Sequence, residues 1–224
     1  NDGDEDIIAG NLGLNYKYKA SEKEPFEVYY YDFDDNNSKD IVLTYYNFGI
    51  QYPLRGRQCS SEQIPALKKK FQTYDLFASA DASAIYGDNK LENALHYEAS
   101  TFASTYFENK GDGTFEAHEL PMLAQFSSIN DFIIEDFNQD DHLDILLAGN
   151  LYHAEVETTR NDAGYGLLLL GDGKGNFEPL DQLQSGFYAP YDVKNLSQIK
   201  RMGKAYILVA CNDEKLQVFE MKKP

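Results

Sequence analysis

At 224 residues the chain is long enough to bury one large β domain or two small ones. Its 37 Asp+Glu against 20 Lys+Arg leave a formal charge of −17, so nucleic acid and anionic membrane are excluded as partners by simple repulsion. No apolar run approaches the ~18 residues of a membrane helix; the longest, Leu167 to Leu170, is strand-sized, and no membrane insertion is expected.

The 17 Tyr and 14 Phe, with no Trp, suit a pleated, half-buried surface and lean towards β structure. Only Cys59 and Cys211 occur; free thiols are expected, with a single bridge left open. The chain opens Asn1-Asp2-Gly3-Asp4-Glu5-Asp6, without a signal peptide and as if inside a motif, which reads as a fragment or a processed product.

Internal similarity carries the most information. Asp2 to Ile8 matches the second half of a pattern that is complete twice further on. The first full copy is Val28 to Leu43, through Asp32-Phe33-Asp34-Asp35-Asn36-Asn37-Ser38-Lys39-Asp40. The second is Phe132 to Leu147, through Asp136-Phe137-Asn138-Gln139-Asp140-Asp141-His142-Leu143-Asp144. Ile41 to Tyr46 and Ile145 to Leu147 are apolar on both faces, as in sheets covered on both sides.

Between the copies lies a stretch of different character, 49–97, read as two or three helices inserted into the sheet assembly. Ser60 with Gln63 resembles a capping box before Ala66 to Lys70. Tyr74 to Tyr86 reads as a helix ended by Gly87, and Asp88 as the cap of another reaching Leu95. A glycine-rich turn then follows each full copy, at Asn109 to Phe115 and at Gly171 to Phe177, between strand-like segments Ser104 to Phe107 and Leu167 to Leu170 on the incoming side. Asp-Gly in that setting signals a hairpin; no Gly-Lys-Ser/Thr ending and no helix follow, so a phosphate loop is excluded. A degenerate last unit spans about 187–219, with strands Ala205 to Cys211 and Lys215 to Phe219 and a metal-free loop starting near Asp192.

The unit is therefore strand, acidic loop, strand, strand, turn, strand. The expected fold is all-β: four-stranded antiparallel β-propeller blades, about three to four across residues 1–224, with the helical insertion on one of them.

The acidic loops have the chemistry of calcium sites. Hard cations take six to eight oxygens at ~2.3–2.6 Å from a tightly curled loop, with side chains at positions 1, 3, 5 and 9 and a backbone carbonyl at 7. Asp32, Asp34, Asn36, Ser38 and Asp40 fill these places in the first loop, and Asp136, Asn138, Asp140, His142 and Asp144 in the second. Asp2, Asp4 and Asp6 are the remnant of a third. Position 6, where a positive φ calls for glycine, holds Asn37 and Asp141, the types that tolerate it best after glycine. An EF-hand needs Glu at position 12 on a helix, whereas Leu43 and Leu147 stand there in apolar runs. Mg2+ prefers fewer protein ligands and more water. Ca2+ is the expected cofactor, structural rather than catalytic, because each loop ties two strands and repels itself without the ion.

The Asp-Phe-(Asp/Asn) loops and Gly-Asp-Gly-Lys-Gly-Asn-Phe at 171–177 resemble the FG-GAP/VCBS repeats of integrin α-subunit propellers and bacterial surface proteins. Tyr52-Pro53-Leu54-Arg55-Gly56-Arg57 with Cys59-Ser60-Ser61, and Leu147-Ala148-Gly149-Asn150, are similar to VCBS-repeat proteins of Bacteroidota in the ASPIC/UnbV (cartilage acidic protein-like) group. The resemblance implies an extracellular, periplasmic or outer-surface location and a propeller of about seven blades. This chain holds fewer units, so the missing blades come from the rest of the protein or from a second copy.

No nucleophile set stands out. His96, His118, His142 and His153 are scattered, without His-x-x-x-His or Cys-x-x-Cys spacing for zinc. The leading expectation is a non-catalytic module for a protein or glycan ligand, with Arg55 and Arg57 as grips for an anionic group and Tyr52 as a stacking platform. The alternatives are a glycosidase or lyase, with its two acids on distant blades, or a purely structural segment.

Overall fold

The computed structural model describes residues 3–154 and 158–222. In chain order the strands and helices are β1 (Ile7–Ala9), β2 (Phe26–Tyr31), β3 (Asp40–Asn47), β4 (Ile50–Pro53), α1 (Arg57–Gln63), α2 (Ala66–Lys70), α3 (Tyr74–Ala78), α4 (Ala82–Tyr86) and α5 (Asp88–Glu92). They continue with β5 (Leu95–Ala99), β6 (Thr105–Asn109), β7 (Phe115–Glu119), β8 (Ile129–Glu135), β9 (Asp144–Gly149), β10 (Leu167–Gly171) and β11 (Phe177–Leu180). Last come α6 (Gln182–Ser185), β12 (Val193–Arg201), β13 (Lys204–Cys211) and β14 (Gln217–Met221). The fold is mostly β. Among the described residues the strands make four separate antiparallel sheets and do not close into a barrel or a propeller ring. No described helix is long and apolar enough to cross a membrane.

The chain divides into two compact units, Tyr18–Thr101 and the remainder. The remainder contains three sheets, ordered β1-β6-β7, β8-β9-β10-β11 and β12-β13-β14. Strand β9 shows how they are layered. Ile145 and Leu147 join Tyr106, Leu167 and Leu169 in one core, with Ile8 and Phe177 packed against it. Leu146 and Ala148 join Leu168, Val193, Leu196, Ile207 and Val209 in another. Successive strand residues point to opposite faces, so an uninterrupted apolar run is what a strand covered on both sides requires.

The same rule separates the two acidic-loop copies. In β3 only the Val42 and Thr44 face is buried; Ile41 is 51% exposed. Ile41 to Tyr46 is therefore covered on one side, not two.

Sheet pairing also corrects the assignment of the first glycine-rich turn. Residues 110–114 join β6 to β7, and β6 pairs with β1, Ile8 facing Tyr106. The turn thus belongs with the Asp4-Asp6 remnant, not with the Asp32 copy, and residues 18–101 separate two neighbouring strands of one sheet. The Asp32 copy has its own sheet, ordered β4-β3-β2-β5, in which β5 returns to pair with β2 after the helices.

Those helices are five short ones between β4 and β5. Ser60 lies inside α1 and donates to the Arg55 carbonyl at 3.1 Å, so it caps nothing. Tyr74 to Tyr86 is two helices, because Asp81 starts the second by accepting from the Ala84 amide at 2.7 Å. Thr73 caps the first in the same manner at 3.2 Å. Gly87, at φ 87°, ends α4 and precedes α5, which contains Asp88 rather than being capped by it and stops at Glu92. Ile64, Leu67, Phe71, Phe77, Ile85 and Tyr86 from this region bury Tyr29, Phe33 and Val42 of the sheet and its loop. Asp192 stands just before β12, which turns directly into β13 through Met202 and Gly203, so it opens no strand-connecting loop. Cys59 and Cys211 are free thiols.

Candidate metal centre

The loop joining β2 to β3 and the loop joining β8 to β9 share one hydrogen-bond plan. In the first, Asp32 accepts from the amides of Asn36 at 3.0 Å and Asn37 at 2.7 Å. In the second, Asp136 accepts from Asp140 at 3.1 Å and Asp141 at 3.0 Å. The Asn36 side-chain oxygen accepts from the Ser38 amide at 2.6 Å, and Asp140 from the His142 amide at 2.9 Å. Asp40 closes the first loop on the Phe33 amide at 2.9 Å, and Asp144 closes the second on the Phe137 amide at 2.9 Å.

The backbone repeats as well. Asn37 and Asp141 both take φ 67°, as their place in the motif requires, and Asp35 and Gln139 add positive φ of 60° and 63° two residues earlier. Such conformations are uncommon for residues with a Cβ and mark loops held in shape by their surroundings.

Charge follows the same geometry. Burial works to raise the Asp32 carboxyl, yet the amides of Asn37, Asn36, Asp35 and Asp34 outweigh it and hold the group below the usual carboxylate range. Asp140 is lowered by the Asn138 side-chain amide first and then by the His142 amide. These groups stay ionised to low pH and remain able to ligate a cation.

The loops differ at position 3. One oxygen each from Asp32, Asp34 and Asp40 lies within 4.8 Å of the others, and Asp34 Oδ1 is buried without a protein partner. An orphaned buried carboxylate oxygen in an all-oxygen donor set is what a hard divalent cation would satisfy. Lys90 at the edge donates to the Phe33 carbonyl at 2.9 Å and to Asp35 at 2.7 Å, fixing the loop from α5. At Asn138 the side chain instead donates to Asp140 Oδ2 at 2.8 Å and accepts from the Asp140 amide at 3.0 Å. Among the described residues the carboxylates of Asp136, Asp140 and Asp144 do not draw together as those of the first loop do.

Of the remnant, Asp2 lies outside the described residues. Asp6 accepts from the Asn109 amide at 2.8 Å and from the Tyr106 hydroxyl at 2.7 Å, and Asp4 lies with it along a cavity of about 820 Å³ floored by Ile8, Tyr106, Ile145 and Phe177.

The Arg57 guanidinium donates to the carbonyl of Phe71 at 2.6 Å and to those of Lys68 and Gln72 at 3.4 Å, tying down the end of α2. Arg55 lines a small cavity with Ser60, Gln63 and Tyr86. Tyr52 pairs across strands with Tyr45, ring centres 6.5 Å apart.

Glu27 belongs to no sequence motif, yet it is 6% exposed, accepts from Tyr29, Thr44 and Gln51 and contacts His96. Its one legible signal is the alternation His96-Tyr97-Glu98, which sets two ligand-type side chains on one strand face. No protein-family model matches the chain, and no curated protein or solved structure matches it either.

Proposed function

We propose that this chain is a calcium-binding, non-catalytic binding module built from β-propeller blades of the FG-GAP/VCBS kind, related to the ASPIC/UnbV group and working at the outer cell surface or beyond it. The observation that carries the reading is the Asp32 loop, where three carboxylates converge and Asp34 keeps a buried oxygen without a partner. The hydrogen-bond plan repeated at Asp136 supports it, because the same plan in two loops reflects one motif. The layering of three sheets through alternate faces of β9 supports the blade arrangement, since consecutive blades must pack face to face.

In this reading Asp32, Asp34, Asn36 and Asp40 hold Ca2+ with the Ser38 carbonyl, and Asp136, Asn138, Asp140 and Asp144 hold a second ion with the His142 carbonyl. Calcium supplies positive charge that ties the paired strands at their loop ends. Protein or glycan partners are met on loops and helices projecting from the sheets, and further blades complete the ring.

Calorimetric titration of chelator-treated protein with CaCl2, paired with thermal melts, tests this. Binding with a rise in melting temperature is expected in the native chain, with the strong site lost in Asp34→Ala. An identical melting curve with calcium and with chelator would refute the reading.

A further inference from the structure

Glu27 and Glu98 are directly opposed in β2 and β5, and His96 stands on the same face, opposite Tyr29. One ligand atom each from Glu27, His96 and Glu98 lies within 4.8 Å of the others, with His96 Nε2 3.0 Å from Glu27 Oε1. Like charges set opposite each other across strands destabilise a sheet unless a cation intervenes. Burial makes this worse: the Glu27 side chain is 7% exposed, and its only ion-pair partner among the described residues is His96.

The same protein contains the comparison. Glu108 and Glu116 are also directly opposed, in β6 and β7, and His118 again stands two residues along. There Lys110 reaches both carboxylates, at 3.1 Å each, and supplies the cation from the chain itself. Among the described residues no lysine or arginine bridges Glu27 to Glu98. The arrangement is repeated, but among the described residues only the Glu108 and Glu116 pair has a bridging lysine.

We propose that Glu27, His96 and Glu98 form a binding site for a borderline divalent metal ion of the Zn2+ class, distinct from the acidic loops. An imidazole nitrogen with two carboxylates suits Zn2+ and its first-row neighbours, whereas Ca2+ takes oxygen alone. Three protein ligands leave a position open to water. The outer contacts are already in place. The Tyr29 hydroxyl donates to Glu27 Oε1 at 3.0 Å, Thr44 donates to Oε2 at 3.2 Å, and Gln51 donates to Oε2 as well. The Tyr29 ring stacks on His96, centres 4.5 Å apart and planes 12° apart. Such contacts orient metal ligands before the ion arrives. On binding, Nε2 gives its lone pair to the metal, so its proton moves to Nδ1 or, from an imidazolium, one proton leaves to solvent.

The test is titration of the full chain with ZnCl2 in saturating CaCl2, which occupies the acidic loops, read by calorimetry and by competition with a chromogenic chelator. One Zn2+ per chain is expected, with affinity at least about tenfold weaker in His96→Ala and Glu98→Gln, weakened by about 10–100-fold in Thr44→Val, and unchanged in His118→Ala, where Lys110 already bridges the glutamates. Circular dichroism identifies any variant that fails to fold, and exposed Glu98 gives the mildest change. The proposal is overturned if the native chain takes up no zinc, or if zinc binding survives both first substitutions, which would leave Glu27 and His96 as a plain ion pair. Neither result bears on calcium.

Discussion

Asp6 and Asp144 do the same work in different sheets. Each stands at the start of a strand and accepts the amide of the last residue of its neighbour, Asn109 at 2.8 Å for Asp6 and Gly171 at 2.9 Å for Asp144. The other carboxylate oxygen marks the difference. At Asp144 it accepts the Phe137 amide of its own loop, and at Asp6 it accepts the Tyr106 hydroxyl. A carboxylate at the end of the loop is therefore a splice between strands as well as a candidate ligand, which sets two separable consequences for its removal.

Asp144 is fully buried, and both amides it serves have this carboxylate as acceptor. Asp144→Ala should destabilise the fold by about 2–4 kcal/mol even without calcium, because two amides lose their acceptor. Asp144→Asn, which keeps one acceptor oxygen, should lose less. Urea denaturation in chelator measures both, and equal stability of the alanine variant and the native chain would contradict the splice.

Gly171 ends β10 beside that carboxylate, and a Cβ built there would run into the Leu143 carbonyl. The obstacle is backbone, so it cannot swing away. Gly171→Ala should push the Leu143–Asp144 segment outward and destabilise by about 1–3 kcal/mol. On the proposed calcium reading, binding at the second loop should weaken while that at the Asp32 loop persists, which calorimetry would resolve as the loss of one class of site.

The Tyr29 hydroxyl is pushed up to about 12, by burial above all and further by the Glu27 charge, against a lowering contribution from Gln51. A folded-state value above the unfolded one of about 10 means stability is fully present below pH 10 and is lost as pH rises towards 12. Burial also raises Tyr46 and Tyr86, so ultraviolet titration of the phenols should show several resisting groups, of which the one ionising near pH 12 is missing in Tyr29→Phe. Its titration with the exposed tyrosines would argue against the buried network.

At the acidic end the sign reverses. Asp32 is held below the ordinary carboxylate value, so its contribution is present above that value and lost as pH falls through its own. In chelator, denaturation midpoints should drop in the native chain as pH falls below the ordinary carboxylate value of about 4. The drop should be shallower in Asp32→Asn; parallel curves would show that the amides around Asp32 add no pH dependence.

Both acidic loops were legible in the sequence because their chemistry is local. Side-chain oxygens at alternate positions and an Asn or Asp at position 6 dictate a curled backbone within nine residues, and Asn37 and Asp141 take the expected positive φ. The buried run at Ile145 to Leu147 was legible for the same reason, since strand periodicity assigns faces without reference to any partner. Helix ends were only partly so: Gly87 announces itself, but a capping Asp81 inside an alanine-rich stretch does not show which of two readings wins.

Tertiary structure decided which strands meet. Hydrogen bonding along a strand edge carries no address, so nothing local assigns the turn at 110–114 to β1 or sends β5 back to β2 across the helices. It also decided which apolar faces are covered, burying Ile145 and leaving Ile41 half open although the two occupy matching places. And it brought His96 to Glu27 across 69 positions, a pairing made by register alone. Composition and spacing determine what a segment of this chain is able to do; long-range packing determines what it does it with.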